Sequence, residues 1–185
     1  MIDDLNVLVV DDESGLADLY AMWLADDHNI QTAYNGQEAV EKVTADTDIV
    51  FLDRRMPQMS GDEVLTTIRD RDLDCQVVMV TGVTADFDIL DLPFDAYLSK
   101  PVSKDDLKAV IERLHRRSTY DDVLQDYFTL VSRQATLQAE KQPEQLAGND
   151  EYAALVDEIE ARQEELDSLI DQLDEEDVNA FYTEL

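Results

Sequence analysis

The chemistry of this sequence collects where apolar runs end. Val50, Phe51 and Leu52 form with Ile49 an apolar run that reads as a buried strand, and Asp53 arrives where that run meets the polar turn Arg54-Arg55-Met56-Pro57. Val7-Leu8-Val9-Val10 leads in the same way into Asp11-Asp12-Glu13, Val77-Val78-Met79-Val80 into Thr81-Gly82, and Tyr97-Leu98-Ser99 into Lys100-Pro101. In an open α/β sheet, ligands collect outside the carboxyl ends of the strands, so these groups face one crevice. Three carboxylates crowded there repel one another, and a hard divalent cation with oxygen ligands, Mg²⁺ for choice, is the simplest way to neutralise them. The Lys100 ammonium and the Thr81 hydroxyl can hold further oxygens, which describes a pocket for a phosphoryl group on Asp53. Each residue alone has a plainer use: Asp12 or Ser14 as a helix cap, Thr81 as a loop hydroxyl, Tyr97 as a core-edge aromatic, Lys100 as a solvated charge. Their convergence on four strand ends is what speaks for a site.

The elements that must position these groups follow from periodicity. Leu16, Leu19, Tyr20 and Trp23 recur at helical spacing over about 14–26, which makes Trp23 a core residue. Residues 29–33 read as a short strand, Asn35-Gly36 as a turn signal, and 37–44 as a helix. Gly61 and Asp62 open a further helix carrying Val64, Leu65 and Ile68, and the run to Val80 is the fourth strand. Leu107, Val110, Ile111 and Leu114 define the last helix of this part, ending in the basic run Arg113, His115, Arg116 and Arg117, which complements a helix C-terminus. Such alternation predicts a parallel sheet of five strands with helices on both faces.

These residues resemble the receiver domain of two-component response regulators. The likeness spans Met1 to about Arg117 and rests on five separated motifs in family order: Asp11-Asp12, Asp53 followed by Met56-Pro57 and Gly61, Thr81-Gly82, Tyr97 three residues before Lys100, and Lys100-Pro101. The resemblance implies that the sheet is doubly wound and flavodoxin-like, and that Asp53 accepts a phosphoryl group from a sensor histidine kinase. It also implies that Asp11, Asp12, Asp53 and the backbone carbonyl of Arg55 place Mg²⁺, and that Lys100 and Thr81 bind phosphoryl oxygens. Thr81 and Tyr97 would be the switch pair, the peptide before Pro101 would be cis, and Arg55 would border the path of hydrolytic water. Such a chain catalyses only its own phosphorylation and dephosphorylation and is not otherwise an enzyme. One departure stands out: between Thr81 and Lys100 only about 85–92 can be helical, Pro93 bars continuation, and Asp86, Asp88, Asp91 and Asp95 crowd the segment. That puts in doubt a dimer interface of the usual receiver kind.

Two other readings compete. A stand-alone Mg²⁺-dependent aspartyl phosphatase or phosphotransferase of the haloacid-dehalogenase kind wants a second acid two residues beyond its nucleophile, where this chain has Arg55. A nucleotide-binding α/β domain wants a glycine-rich phosphate loop after the first strand, where this chain has Asp-Asp-Glu.

Composition bounds the rest. Lys and Arg number 14 against 44 Asp and Glu, a formal charge of -30 over 185 residues. Such an excess repels nucleic acid and anionic membrane, and it resembles the surfaces of proteins from salt-accumulating organisms. Cys75 is the only cysteine, so an intramolecular disulfide is excluded and a reducing compartment fits. With no leader and no long apolar run, the expected location is the cytoplasm, with no membrane span.

From Ser118 to Leu185 the composition changes: Arg133, Lys141 and Arg162 are the only bases among many acids. No helix-turn-helix pattern is visible, so direct DNA binding is not expected. Leu124, Phe128 and Val131 mark one helix ending near Pro143, and residues 143–150 read as a loop. Leu155, Ile159, Arg162, Leu166, Leu169 and Leu173 then step by four and three, the spacing of a coiled-coil seam. The expected division is residues 1–117 and an all-α tail, 118–185, that pairs with a second copy or another protein. In architecture and composition the whole resembles haloarchaeal response regulators with a HalX domain.

Overall fold

The computed structural model describes residues 4–82 and 92–171. Its compact units meet between Leu114 and His115. The first is built on a sheet of five parallel strands, β1 (Asn6–Val10), β2 (Asn29–Ala33), β3 (Ile49–Asp53), β4 (Gln76–Thr81) and β5 (Ala96–Ser99), in the order β2-β1-β3-β4-β5. Helices α1 (Ser14–Leu24), α2 (Gly36–Lys42) and α3 (Gly61–Asp70) connect the first four strands. The expected helix over 85–92 falls almost wholly outside the described residues.

Strand alternation sorts the apolar side chains between two faces. Val7, Val9, Ile49, Phe51, Val78 and Val80 pack with Ala17, Tyr20 and Leu24 of α1 and with Leu107, Val110, Ile111 and Leu114. Leu8, Val10, Val50, Leu52, Val77 and Met79 pack with Ala39 and Val40 of α2 and Val64, Leu65 and Ile68 of α3. Burial on both faces explains why the strands read as continuous apolar runs. Phe51 is 1% exposed, and its truncation to alanine would cost about 3–5 kcal/mol. Trp23, expected in the core, is partly buried against its edge, with its ring 5.7 Å from that of Tyr20.

The helix after β5 differs from expectation. A single helix, α4 (Lys104–Glu140), runs for 37 residues through the basic run at which a stop was expected. Neither glycine nor proline occurs within it, so nothing in its backbone chemistry ends it there. Its start is held by Ser103 and Asp106, whose side chains each take the other's backbone N–H, at 3.2 and 2.8 Å.

In the second unit a short helix, α5 (Pro143–Ala147), occupies the expected loop, and α6 (Asp150–Ile170) follows behind Asn149, whose side chain accepts the Tyr152 N–H at 2.7 Å. Two contacts show that α6 runs antiparallel to the end of α4: Gln138 donates to the Tyr152 hydroxyl at 2.9 Å, and Arg162 lies 4.0 Å from Asp126. On α6 the expected seam is the sheltered stripe: Ile159 and Leu166 are buried, and Leu155, Arg162 and Leu169 half-buried. Leu173 lies outside the described residues. On α4 the sheltered stripe is Tyr120, Val123, Tyr127, Leu130, Gln134 and Leu137, stepping by three and four. Of the expected triple, Leu124 and Val131 are half-buried beside this stripe, and Phe128 is 60% exposed.

Candidate functional site

The order of the strands puts a topological switch between β1 and β3, because the chain winds outward from β1 to β2 and then back to β3. Asp11 stands just past the end of β1, and its Oδ1 accepts the N–H of Glu13 at 2.9 Å. Helix α1 starts behind Glu13, whose side chain makes no capping bond, so Asp12 is not the cap of that helix. Asp53 is the last residue of β3, and its Oδ2 accepts the N–H of Arg55 at 2.8 Å. Both carboxylates are buried, at 2% and 6% exposure.

Their remaining oxygens share one donor. Lys100 Nζ lies 2.7 Å from Asp11 Oδ2 and 2.7 Å from Asp53 Oδ1. Lys100 is carried just beyond β5, its backbone N–H donating to the Thr81 carbonyl at 2.8 Å, and the Lys100–Pro101 peptide is cis. Two carboxylates against one ammonium leave a net negative charge in a sheltered crevice. Burial holds Asp53 above the ordinary carboxylate range, with the Asp11 charge adding to the rise and Lys100 opposing it. Burial pulls on Lys100 in the other direction, but its hydrogen bonds to Asp11 and Asp53 prevail and its ammonium is held above the usual lysine value.

Gly61 sets how closely the β3 end can be approached. A Cβ there would collide with the carbonyl oxygen of Asp53 and come within 2.9 Å of Arg54 Cα. Its N–H donates to the Arg54 carbonyl at 2.9 Å, so the start of α3 packs directly against the backbone at the end of β3. Only the absence of a side chain permits this.

The other expected residues take different stations. Thr81 is fully buried at the end of β4, paired in register with Ser99. Tyr97 is half-buried on β5, in register with Met79, its ring 5.9 Å from that of Phe94. Asp12 and Arg55 are exposed, and with Arg54, Met56, Pro57, Ser60 and Asp62 they line a cavity of about 470 Å³. Among the described residues no three acids, histidines or cysteines converge closely enough to hold a metal by themselves. The donor chemistry nonetheless suits Mg²⁺: two oriented carboxylates, a third acid and a backbone carbonyl at a cavity rim, all hard oxygens, with negative charge in excess. Mg²⁺ commonly takes one or two carboxylates and keeps several waters.

Two features escaped the sequence reading. Arg54 is only 8% exposed and grips Asp62 through Nε and Nη2 at 3.1–3.2 Å, one wall of that cavity. Nothing in their spacing announces the pair. Tyr20, read as a core residue, is 3% exposed, and burial raises its phenol, while Lys100, Asp11 and Asp53 all act on it electrostatically. A hydroxyl on the inward face of the first helix was the available signal.

Comparison with known proteins agrees with this fold. Residues 7–112 match the family model for the response regulator receiver domain, and residues 116–182 match that for the HalX domain. A protein of Haloferax volcanii, named provisionally as a transcriptional regulator, is 48% identical over 132 residues, which are 71% of this chain and 23% of that protein. The transcriptional regulatory protein DltR of Streptococcus agalactiae is 32% identical over 62% of this chain and 54% of its own length. The chain thus spans a quarter to a half of these curated relatives. Among solved structures, the response regulator TrrA of Thermotoga maritima, in complex with Mg²⁺ and BeF, is 32% identical with a TM-score of 0.53, covering 60% of this chain and 98% of that one. A receiver domain of Clostridium thermocellum is 28% identical with a TM-score of 0.55, covering 62% and 97%.

Proposed function

The chain belongs to the response regulator receiver family and carries a HalX domain behind the receiver, and from this we propose that it is the phosphoacceptor of a two-component relay, taking a phosphoryl group from a sensor histidine kinase onto Asp53. The observation that carries this is the Lys100 ammonium held 2.7 Å from both Asp11 and Asp53 at the carboxyl ends of the sheet. An Asp53 oxygen attacks phosphorus, the P–N bond to the donor imidazole breaks, and the ring leaves with the electron pair. Lys100 is placed to turn from the Asp53 carboxylate to the new phosphoryl oxygens. Thr81 and Tyr97 are the switch pair of this reading, and the Lys100 backbone is tied to Thr81 through its N–H. Asp11, Asp12, Asp53 and the Arg55 carbonyl would hold Mg²⁺, which when bound neutralises phosphoryl charge. The site works in the cytoplasm, where the buried single thiol of Cys75 stays reduced.

Acetyl phosphate with Mg²⁺ should add one phosphoryl group to the wild type and none to Asp53→Asn, read by intact mass. Equal labelling of both would sink the assignment. Arg55, exposed beside the acceptor, tunes hydrolysis in this reading. Arg55→Ala should therefore change the decay of the phosphorylated form more than its formation, and an unchanged decay curve would make it a mere surface residue.

Output passes through residues 118–185, which in this reading engage protein, with α4 and α6 pairing as an antiparallel coiled-coil hairpin. The relatives named as transcriptional regulators suggest a transcriptional pathway, but the excess of acids on this tail disfavours direct DNA contact. Arg162 contributes less to register than its seam position suggests, since its side chain is 37% exposed and its nearest acid is Glu165 of the same helix, at 2.7 Å.

A further inference from the structure

Beyond Asp53 the chain leaves the sheet in a loop, residues 55–60, that comes back at the start of α3, and the neck of this loop is tied twice. The Gly61 N–H meets the Arg54 carbonyl at 2.9 Å, and the Arg54 side chain closes on Asp62. That second tie has direction as well as charge. Nε reaches the two Asp62 oxygens at 3.1 and 3.2 Å, and Nη2 reaches Oδ2 at 3.1 Å, a fork that a point charge could not make. The Arg54 side chain is 10% exposed and that of Asp62 33%, so water competes little for the guanidinium.

An ion pair in so sheltered a place is a poor source of stability, because both charges lose hydration to make it. Its place in the chain suggests another use. Arg54 stands between Asp53 and Arg55, whose carbonyl is among the proposed Mg²⁺ ligands and whose N–H already donates to Asp53 Oδ2 at 2.8 Å. The far side of the loop is anchored independently: Met56 is buried, Met59 occupies the space that a Cβ on Gly36 would take, and Gln58 holds a φ of 70°. With the crown fixed and the neck closed, the Arg55 peptide has little freedom to turn. Mg²⁺ demands near-ideal octahedral geometry, so a ligand set askew is felt directly in affinity.

We propose that Arg54 is a positioning residue for the metal: its fork on Asp62 fixes where the Arg55 carbonyl stands and so sets the affinity for Mg²⁺. This rests on the reading of Asp53 as a Mg²⁺-assisted phosphoacceptor and adds to it a pair that touches neither metal nor phosphate.

Calorimetric titration of the full chain with magnesium chloride in about 1 M KCl, where scattered surface charge is screened, tests this, the heat of the site being the part lost in Asp12→Ala. Arg54→Gln removes a positive charge and Asp62→Asn a negative one, so charge alone would tighten Mg²⁺ binding in the first and weaken it in the second. Positioning makes both weaker, each by about tenfold, and makes the double variant no weaker than either single one. Arg54→Lys, which keeps the charge without the fork, should behave as Arg54→Gln does. The double variant leaves neither charge without the other, so it decides the matter if a single variant fails to fold. Opposite changes in the two single variants, or wild-type affinity in Arg54→Lys or in the double variant, would overturn the proposal. So would a lowered melting temperature with affinity unchanged, the mark of a pair that only stabilises the fold. Labelling of Asp53 by acetyl phosphate separates the two failures: unchanged affinity in every variant with Asp53 still labelled removes the positioning role alone, whereas a wild type that neither binds Mg²⁺ nor takes the label removes the phosphoacceptor reading with it.

Discussion

A single ammonium holds two buried carboxylates together at the heart of this protein. Lys100 is 16% exposed at its side chain and reaches Asp11 and Asp53 alike, so removing it leaves like charges facing each other with little water to screen them. Lys100→Met should lower the stability of the metal-free protein by about 3 kcal/mol near neutral pH, measured by urea unfolding. Added Mg²⁺ should recover part of the loss. The pH dependence has a definite sign. Asp53 in the folded protein is held above its ordinary value of 3.8, so the folded state binds the proton more tightly than the unfolded one. Its contribution therefore falls as pH rises from that ordinary value through the raised one. With Lys100 gone the rise is larger, and the deficit of Lys100→Met should shrink toward acid pH. A deficit that is constant with pH and indifferent to Mg²⁺ would mean that Lys100 merely packs.

At the scale of elements, the ends of the strands decide the site, and Gly61 decides how one of them is approached. Gly61→Ala forces a methyl group into the Asp53 and Arg54 backbone, and should cost about 2 kcal/mol or more while slowing labelling of Asp53. An unperturbed melting curve with normal labelling would show that α3 can shift to accommodate it. The strand ends were legible in the sequence because a buried parallel strand is a continuous apolar run, and Asp11, Asp53 and Thr81 are where such runs stop. The helices were less so. Arg113 to Arg117 reads as a C-terminal charge cluster, yet a helix stops for backbone reasons, and neither glycine nor proline interrupts Lys104–Glu140. The sheltered stripe of α4 was masked for a related reason: Tyr120, Tyr127 and Gln134 are amphipathic, so the hydropathy is drawn to Phe128, which is exposed. That two of the acids would meet on Lys100, with Asp12 left at the rim, depends on side-chain direction across strands far apart in sequence. No local pattern encodes it.

The whole molecule is an acidic polymer, and its formal charge of -30 acts on every equilibrium it enters. Self-repulsion should be relieved by salt: the urea midpoint of the full chain ought to rise between about 0.1 M and about 2 M KCl. A midpoint that falls or stays flat over this range would contradict a fold adapted to high salt. The central claim is narrower, that phosphate enters this molecule at one residue, and trapping the acyl phosphate tests it most directly. After treatment with acetyl phosphate and Mg²⁺, borohydride reduces an aspartyl phosphate to homoserine, and peptide sequencing by mass spectrometry locates it. The geometry of Lys100, Asp11 and Asp53 predicts homoserine at position 53 alone, while homoserine at another acid, or at none, would contradict it.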